Sequence, residues 1–312
     1  VNSVWVVIPA LDESENLTEL LPRVRTELDS ISDDGTILVI DDGSSDGTAD
    51  TVRELATQMP QLQVVSFARN RGKAAALETG FSAAVQGGAD IVVMMDADGQ
   101  DDPSELPRLV AALDAGADLV TGARLKRNDR FVKRHTSRIY NWFTGRLSGA
   151  PGKDFNSGFK VMRASVARDL DPMLYGELHR YITVIAFWLG YRVTEVPVQH
   201  HARMHGTSKY GIARFWRGFL DLITVRFLMS YETRPFHLFG GAGVVSLSLG
   251  SLALGYLVII KILGDPIGER PLLIAGVLLV IVGLQLLLFG LIAELLVYTN
   301  RMQQRRRQGH GS

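Results

Sequence analysis

Between residues 236 and 260 the chain carries no Asp, Glu, Lys or Arg, and between 271 and 293 it carries none again. A helix rises about 1.5 Å per residue, so each run is long enough to cross a hydrocarbon layer about 30 Å thick. Two buried helices of a soluble protein are the alternative, and the weaker one, because a soluble helix ordinarily keeps charge on its outer face. The sequence therefore predicts two transmembrane helices. Residues 264–270 between them contain Gly, Asp and Pro and are too few for a domain, so the pair is expected as an antiparallel hairpin.

The flanks set an expected orientation. Arg214, Arg217, Arg226 and Arg234 precede the first run and Arg301, Arg305, Arg306 and Arg307 follow the second, whereas the connection has only Lys261 and Arg270. The positive-inside rule then puts both ends in the cytoplasm, with the protein a multi-pass component of the inner membrane. Residues 4–8 are too short an apolar run for a secretory signal. Residues 1–210 are expected as a cytoplasmic domain, 211–234 as an amphipathic interfacial helix, 235–299 as the hairpin and 300–312 as a basic tail. The interfacial reading rests on Phe215, Trp216, Phe219, Ile223 and Phe227 interleaved with arginines. Residues 131–147 have a similar mixture, for which an interfacial helix and a solvated face packed on the protein both stand.

Composition narrows the rest. With 33 basic and 33 acidic residues there is no cationic excess to coat nucleic acid, and with no cysteine there is no disulfide scaffold, thiolate nucleophile or thiolate metal site. Short apolar runs at 4–8, 36–40, 63–67, 91–95 and 119–121 alternate with helical periodicity, which predicts an α/β fold with a mostly parallel sheet flanked by helices. Ligands of such sheets bind beyond the carboxyl ends of the strands. Acidic residues collect there: Asp12 and Glu13, Asp41 and Asp42, then Asp96 and Asp98. Carboxylates crowded on one edge call for a cation or a set of hydroxyls, and Asp96, Asp98 and Gln100 offer hard oxygen ligands suited to Mg2+ or Mn2+. A receiver domain would also use strand-end acids, but its acidic pair closes the first strand, whereas residues 4–8 precede this one. No phosphate-binding Gly-x-x-x-x-Gly-Lys-Ser/Thr loop occurs.

The ordered motifs VIPALDESENL from Val7, VIDDGSSDGT from Val39, RNRGKAAAL from Arg69, MMDADGQDDP from Met94, TGAR from Thr121, DFNSGFKVMR from Asp154 and RMHGTSKYG from Arg203 resemble the family-two glycosyltransferases, and among them the polyprenyl-phosphate sugar transferases. The resemblance implies a GT-A type fold and an inverting, metal-dependent hexosyltransferase. Its donor would be a nucleoside-diphosphate sugar, with a UDP-sugar favoured and GDP-mannose the alternative, and its acceptor an undecaprenyl or dolichyl phosphate. It implies donor contacts from Pro9, Ala10, Leu11, Glu13, Asp41, Asp42, Lys73, Asp96, Ala97, Asp98, Gln100 and Arg124. The metal would be held by Asp96, Asp98 and Gln100, the acceptor phosphate by Arg134, Ser137, Arg138, Arg203, His205 and Lys209, and catalysis carried by Asp98, Arg124 and Lys209. Leu11 stands where an aromatic residue is common and Gly99 where a larger apolar one is frequent. A catalytically inactive, membrane-anchored binding or scaffold protein is the reading from another class, and the intact Asp96, Asp98, Gln100, Arg124 and Lys209 set argues against it. Gly240, Gly241, Gly243 and Gly250 permit close helix contacts, including those of a homo-oligomer.

Overall fold

The computed structural model describes residues 3–124, 144–146, 148–201, 224, 227, 235–268 and 270–309, the last ten as backbone only. Contacts divide the chain into Val1–Arg226 and Phe227–Ser312.

The first unit is a twisted sheet of seven strands between helices. Its strands are β1 (Val4–Ala10), β2 (Gly35–Asp41), β3 (Leu62–Ser66), β4 (Ile91–Met94), β5 (Leu119–Arg124), β6 (Lys160–Arg163) and β7 (Val193–Val198). They lie in the order β3-β2-β1-β4-β6-β5-β7. Only β6 is antiparallel to its neighbours, with Lys160 opposite both Met94 and Thr121. The carboxyl ends of the other six, and the start of β6, therefore share one edge. Strand order reverses at β1, where β2 and β4 flank it on opposite sides, and this opens the crevice in which such sheets bind ligands.

Helix α1 (Ser14–Ile31) buries Leu17, Leu20, Leu21, Val24 and Leu28 on one face. That stripe packs in a common core with Val4, Val6 and Ile8 of β1 and with Ile37 and Val39 of β2. Further helices are α2 (Thr48–Ala56), α3 (Lys73–Gln86), α4 (Leu106–Asp114), α5 (Ala164–Leu170) and α6 (Ile182–Trp188). The two strands that periodicity does not reveal are β6 and β7. Strand β6 is four residues long with a basic residue at each end, and β7 is only partly buried and contains Pro197, as suits an edge strand.

The second unit is a pair of long helices, α7 (Pro235–Ile262) and α8 (Pro271–Gly309), joined across a short turn as expected. Pro235–Ile262 and Pro271–Thr299 are long and apolar enough to cross a membrane. Their large side chains face outward, with Leu252 71% and Leu296 60% exposed, so they are not the core helices of a soluble domain. Two of the glycines, Gly243 and Gly250, serve contact within the hairpin. A methyl group at Gly250 would lie 2.8 Å from the Gly276 carbonyl oxygen, and one at Gly243 would lie 2.9 Å from that of Gly283. Ser246 Oγ adds a hydrogen bond to the Leu279 carbonyl at 2.8 Å. The segment expected as an interfacial helix, 211–234, lies outside the described residues except for 224 and 227, as does most of 131–147.

Candidate active site

Two loops at the β1/β2 end are tied to each other by polar contacts. Asp12, at φ +55°, accepts from the Ser45 amide at 2.9 Å and donates its own amide to Ser44 Oγ at 2.9 Å. Asp46 receives the amides of Ser14 and Thr48, both at 3.0 Å. Burial pushes the Asp46 carboxyl up, but the Thr48 hydroxyl and those two amides outweigh it and hold it below the ordinary value. Pro9 and Ala10 are the last residues of β1, and Leu11 and Glu13 lie on the loop that follows it. Asp41 Oδ1 accepts from the Ser44 amide at 3.0 Å, and Asp42 accepts from the amides of Arg71 at 2.6 Å and Gly72 at 2.9 Å. Asp42 thus fixes the turn that begins α3, and that turn presents Lys73.

Lys73 Nζ makes an ion pair with Asp96 Oδ1 just beyond β4. The Asp96 carboxylate rests on the backbone of Gly158, where any Cβ would collide with it. Burial pushes Asp96 up, yet Lys73, with His179 and Lys160 behind it, brings the carboxyl below its usual range. Asp98 Oδ1 accepts from the Gln100 amide at 3.2 Å, while Gln100 Nε2 donates to the His201 carbonyl at 3.3 Å. Ala97 is buried between the two acids.

Arg124, at the end of β5, grips Asp154 with both ends of its guanidinium, Nε to Oδ2 at 2.6 Å and Nη2 to Oδ1 at 2.8 Å. Burial lowers the Arg124 pKa, but the Asp154 bonds and charge more than restore it, so the guanidinium stays charged. Glu195 of β7 in turn receives the amides of Lys153 at 2.7 Å and Asp154 at 2.9 Å. Lys160 is buried beneath this group and donates to the carbonyls of Ser157 and, at 3.4 Å, Phe155. Burial, against the pull of Asp154, lowers its pKa to about 8.

Two further groups of side chains bear on this edge. His200 and His201, which in sequence lack a nearby carboxylate, pair with Asp101 at 3.3 Å and Asp102 at 2.7 Å. Together with the Asp101–His200 bridge, they strap the chain after β7 onto the Asp98–Gln100 loop. His179 and Arg180 belong to a 3-10 turn, Leu178–Tyr181, which Glu177 immediately precedes. His179 feels both Lys73 and Asp96, and burial, then Lys73 and Arg180, push its pKa down to about 3, leaving it neutral with Nδ1 unpartnered. Sequence reasoning did not single out Lys160, whose signal was a lone lysine among the apolar residues Phe159 and Val161. Arg134, Ser137, Arg138, Arg203, His205 and Lys209 lie outside the described residues.

Among the described residues no three His, Asp or Glu side chains converge into a ready-made cage. The donor set nevertheless fits a hard divalent ion, because Mg2+ and Mn2+ sites take one or two carboxylates and complete their shell from water and substrate phosphate. Asp96 and Asp98 supply such carboxylates, while the Gln100 amide group is engaged with His201.

Comparison with known proteins identifies the family. The sequence profile of glycosyl transferase family 2 matches residues 5–171, which span β1 to the end of α5. The dodecaprenyl-phosphate galacturonate synthase of Rhizobium johnstonii is 36% identical over 94% of this chain and 87% of its own. The undecaprenyl-phosphate 4-deoxy-4-formamido-L-arabinose transferase of Edwardsiella ictaluri is 35% identical over 93% and 87%. Among solved structures, a mannosyltransferase from Pyrobaculum calidifontis in complex with GDP-Man and Mn2+ is similar at TM-score 0.53 and 20% identity, over 97% of this chain and 80% of that one. At that identity the likeness concerns the GT-A fold.

Proposed function

The chain belongs to glycosyl transferase family 2, and from that premise we propose that it moves a sugar from a nucleoside diphosphate to a polyprenyl phosphate at a membrane surface, with inversion. The observation that carries the reading is the pairing of opposite charges across the β1/β4 crevice. Asp96 is paired there with Lys73, Arg124 is paired with Asp154 and feels the Asp96 charge, and Asp98 follows two residues on, which is the combination that a diphosphate and its counter-cation require. Similarity to two polyprenyl-phosphate sugar transferases over more than nine-tenths of the chain, hairpin included, supports the acceptor class.

In the proposed step, a lone pair on an acceptor phosphate oxygen forms the new bond to the anomeric carbon. The bond from that carbon to the donor diphosphate breaks, and its electrons leave with the nucleoside diphosphate. A phosphate monoester has a second pKa of about 6, so at pH 7 the acceptor is mostly a dianion and no proton has to be removed. This fits two carboxylates that are already committed: Asp154 to Arg124 and Glu177 to Arg180. Lys73 binds and orients the donor diphosphate, and Arg124, locked by Asp154, holds fixed positive charge beside it. A divalent ion on Asp96 and Asp98 would stabilise charge on the leaving diphosphate. Arg134, Arg138, Arg203 and Lys209 are assigned to the acceptor phosphate, and the hairpin keeps the domain at the cytoplasmic face.

The test is to incubate detergent-solubilised protein with UDP- and GDP-sugars, undecaprenyl phosphate and Mg2+ or Mn2+, and to analyse the lipid by mass spectrometry. A lipid-linked phosphosugar from one donor is expected. Donor hydrolysis alone, or no turnover with any donor, contradicts the reading.

A further inference from the structure

Three cations of the described site surround Asp96, and they differ in freedom. Lys160 is 1% exposed and fixed to two backbone carbonyls, and the Arg124 side chain is 15% exposed and bound twice to Asp154. The Lys73 side chain is 31% exposed, sits on the first residue of α3 and has Asp96 as its ion-pair partner. Asp96 is confined from the other side, because the Gly158 backbone lies against its carboxylate. A divalent ion approaching Asp96 and Asp98 must therefore meet a lysine ammonium already seated on one of the oxygens it needs. Of the three cations, only Lys73 has a flexible stem and an open side through which to leave.

Resting on the donor-site reading above, we infer that Lys73 is an exchangeable counter-ion. It neutralises Asp96 in the empty site, and it transfers to the diphosphate when donor and metal arrive together. The free protein then discriminates against a bare dication, because a single positive charge on Asp96 repels a second. A nucleoside diphosphate removes that block by offering Lys73 a better partner, a doubly charged group with several acceptor oxygens. Metal and nucleotide consequently promote one another's binding, and by linkage the enhancement is the same in either order. The Asp96 carboxyl, held below its usual range by Lys73 against the opposing effect of burial, agrees with a strong pair in the empty state.

The experiment measures Mn2+ binding to the full chain in detergent by the loss of the free-ion paramagnetic resonance signal. It is run without nucleotide, with UDP and with GDP, for wild type, Lys73→Met, Lys73→Arg and Asp98→Asn. Wild type is expected to bind Mn2+ weakly alone and about tenfold or more tightly with one of the nucleotides, within the usual range of site coupling. Lys73→Met should bind Mn2+ about tenfold tighter than wild type in the absence of nucleotide and lose most of the enhancement. Lys73→Arg should keep the wild-type pattern. Equal or weaker binding of Mn2+ by free Lys73→Met, with the nucleotide enhancement intact, would overturn the exchange and leave the donor site standing. Absence of Mn2+ binding to wild type with either nucleotide, or binding that Asp98→Asn does not reduce, would overturn the donor-site reading and the exchange with it. Lys73 is partly exposed, so circular dichroism should find the variants folded; a Lys73→Met protein that keeps its fold but binds like wild type counts against the proposal.

Discussion

At the scale of single residues, the site is a set of charges whose positions are fixed by other residues. Asp98→Asn removes a charge from a loop and no core packing, so transfer should fall by about 100-fold or more while the thermal midpoint barely moves. Retention of full turnover by that variant would remove Asp98 from the reaction. Lys160 makes a different prediction. Its pKa in the folded chain is about 8 against an ordinary 10.5, so the folded state binds fewer protons than the unfolded one between those values. Stability attributable to Lys160 should rise as pH climbs from about 8 to 10, by about 3 kcal/mol at about 1.4 kcal/mol per tenfold change in proton affinity. Thermal melts of Lys160→Met should show a flatter rise over that window than wild type, and parallel curves would contradict the assignment. Asp96 moves the same way in a lower pH window. Its carboxyl is held down, so its stabilising pair is present above about pH 4 and is lost as pH falls through the folded value.

At the scale of elements, the close approach of α7 and α8 rests on particular glycines. Alanine is the better helix former by about 1 kcal/mol, so Gly→Ala in a helix without steric conflict is neutral or stabilising. Gly241 has open space around it, whereas a methyl at Gly250 meets the backbone of α8. Gly241→Ala should leave the melting temperature in detergent unchanged or raised, and Gly250→Ala should lower it by several degrees. Equal effects would mean that the helices do not touch at Gly250. The first five strands were legible as apolar runs, with ends displaced by no more than about three residues, because turn residues frame them and all but the edge strand β3 are largely buried on both faces. Strands β6 and β7 were not. Lys160 and Arg163 at the ends of β6 mask its burial, and β7 lies at the sheet edge with Glu195 turned to amides of the preceding loop rather than to solvent. The acids Asp41, Asp96 and Asp98 were legible because they end strands. The cations that answer them were only half legible: pairing Lys73 with Asp96 and Arg124 with Asp154 joins segments 23 and 30 residues apart, a relation that only the sheet order creates.

At the scale of the whole molecule, the proposed function divides the labour between a unit for donor chemistry and a unit for membrane residence. A chain ending at Tyr231 keeps the sheet and its edge, so it should bind nucleotide but transfer poorly to undecaprenyl phosphate in liposomes; unchanged transfer by the shortened chain would show that the hairpin is dispensable. A reporter at Asp265, in the turn between α7 and α8, should face away from the cytoplasm. The central claim is that a phosphate dianion attacks the donor directly, with no protein base and no covalent sugar intermediate. Its most direct measurement is the anomeric configuration of the lipid product by NMR, starting from a donor of known configuration and the full-length protein. An α-linked donor should yield a β-linked phosphosugar, whereas an α-linked product would contradict the single displacement on which the account rests.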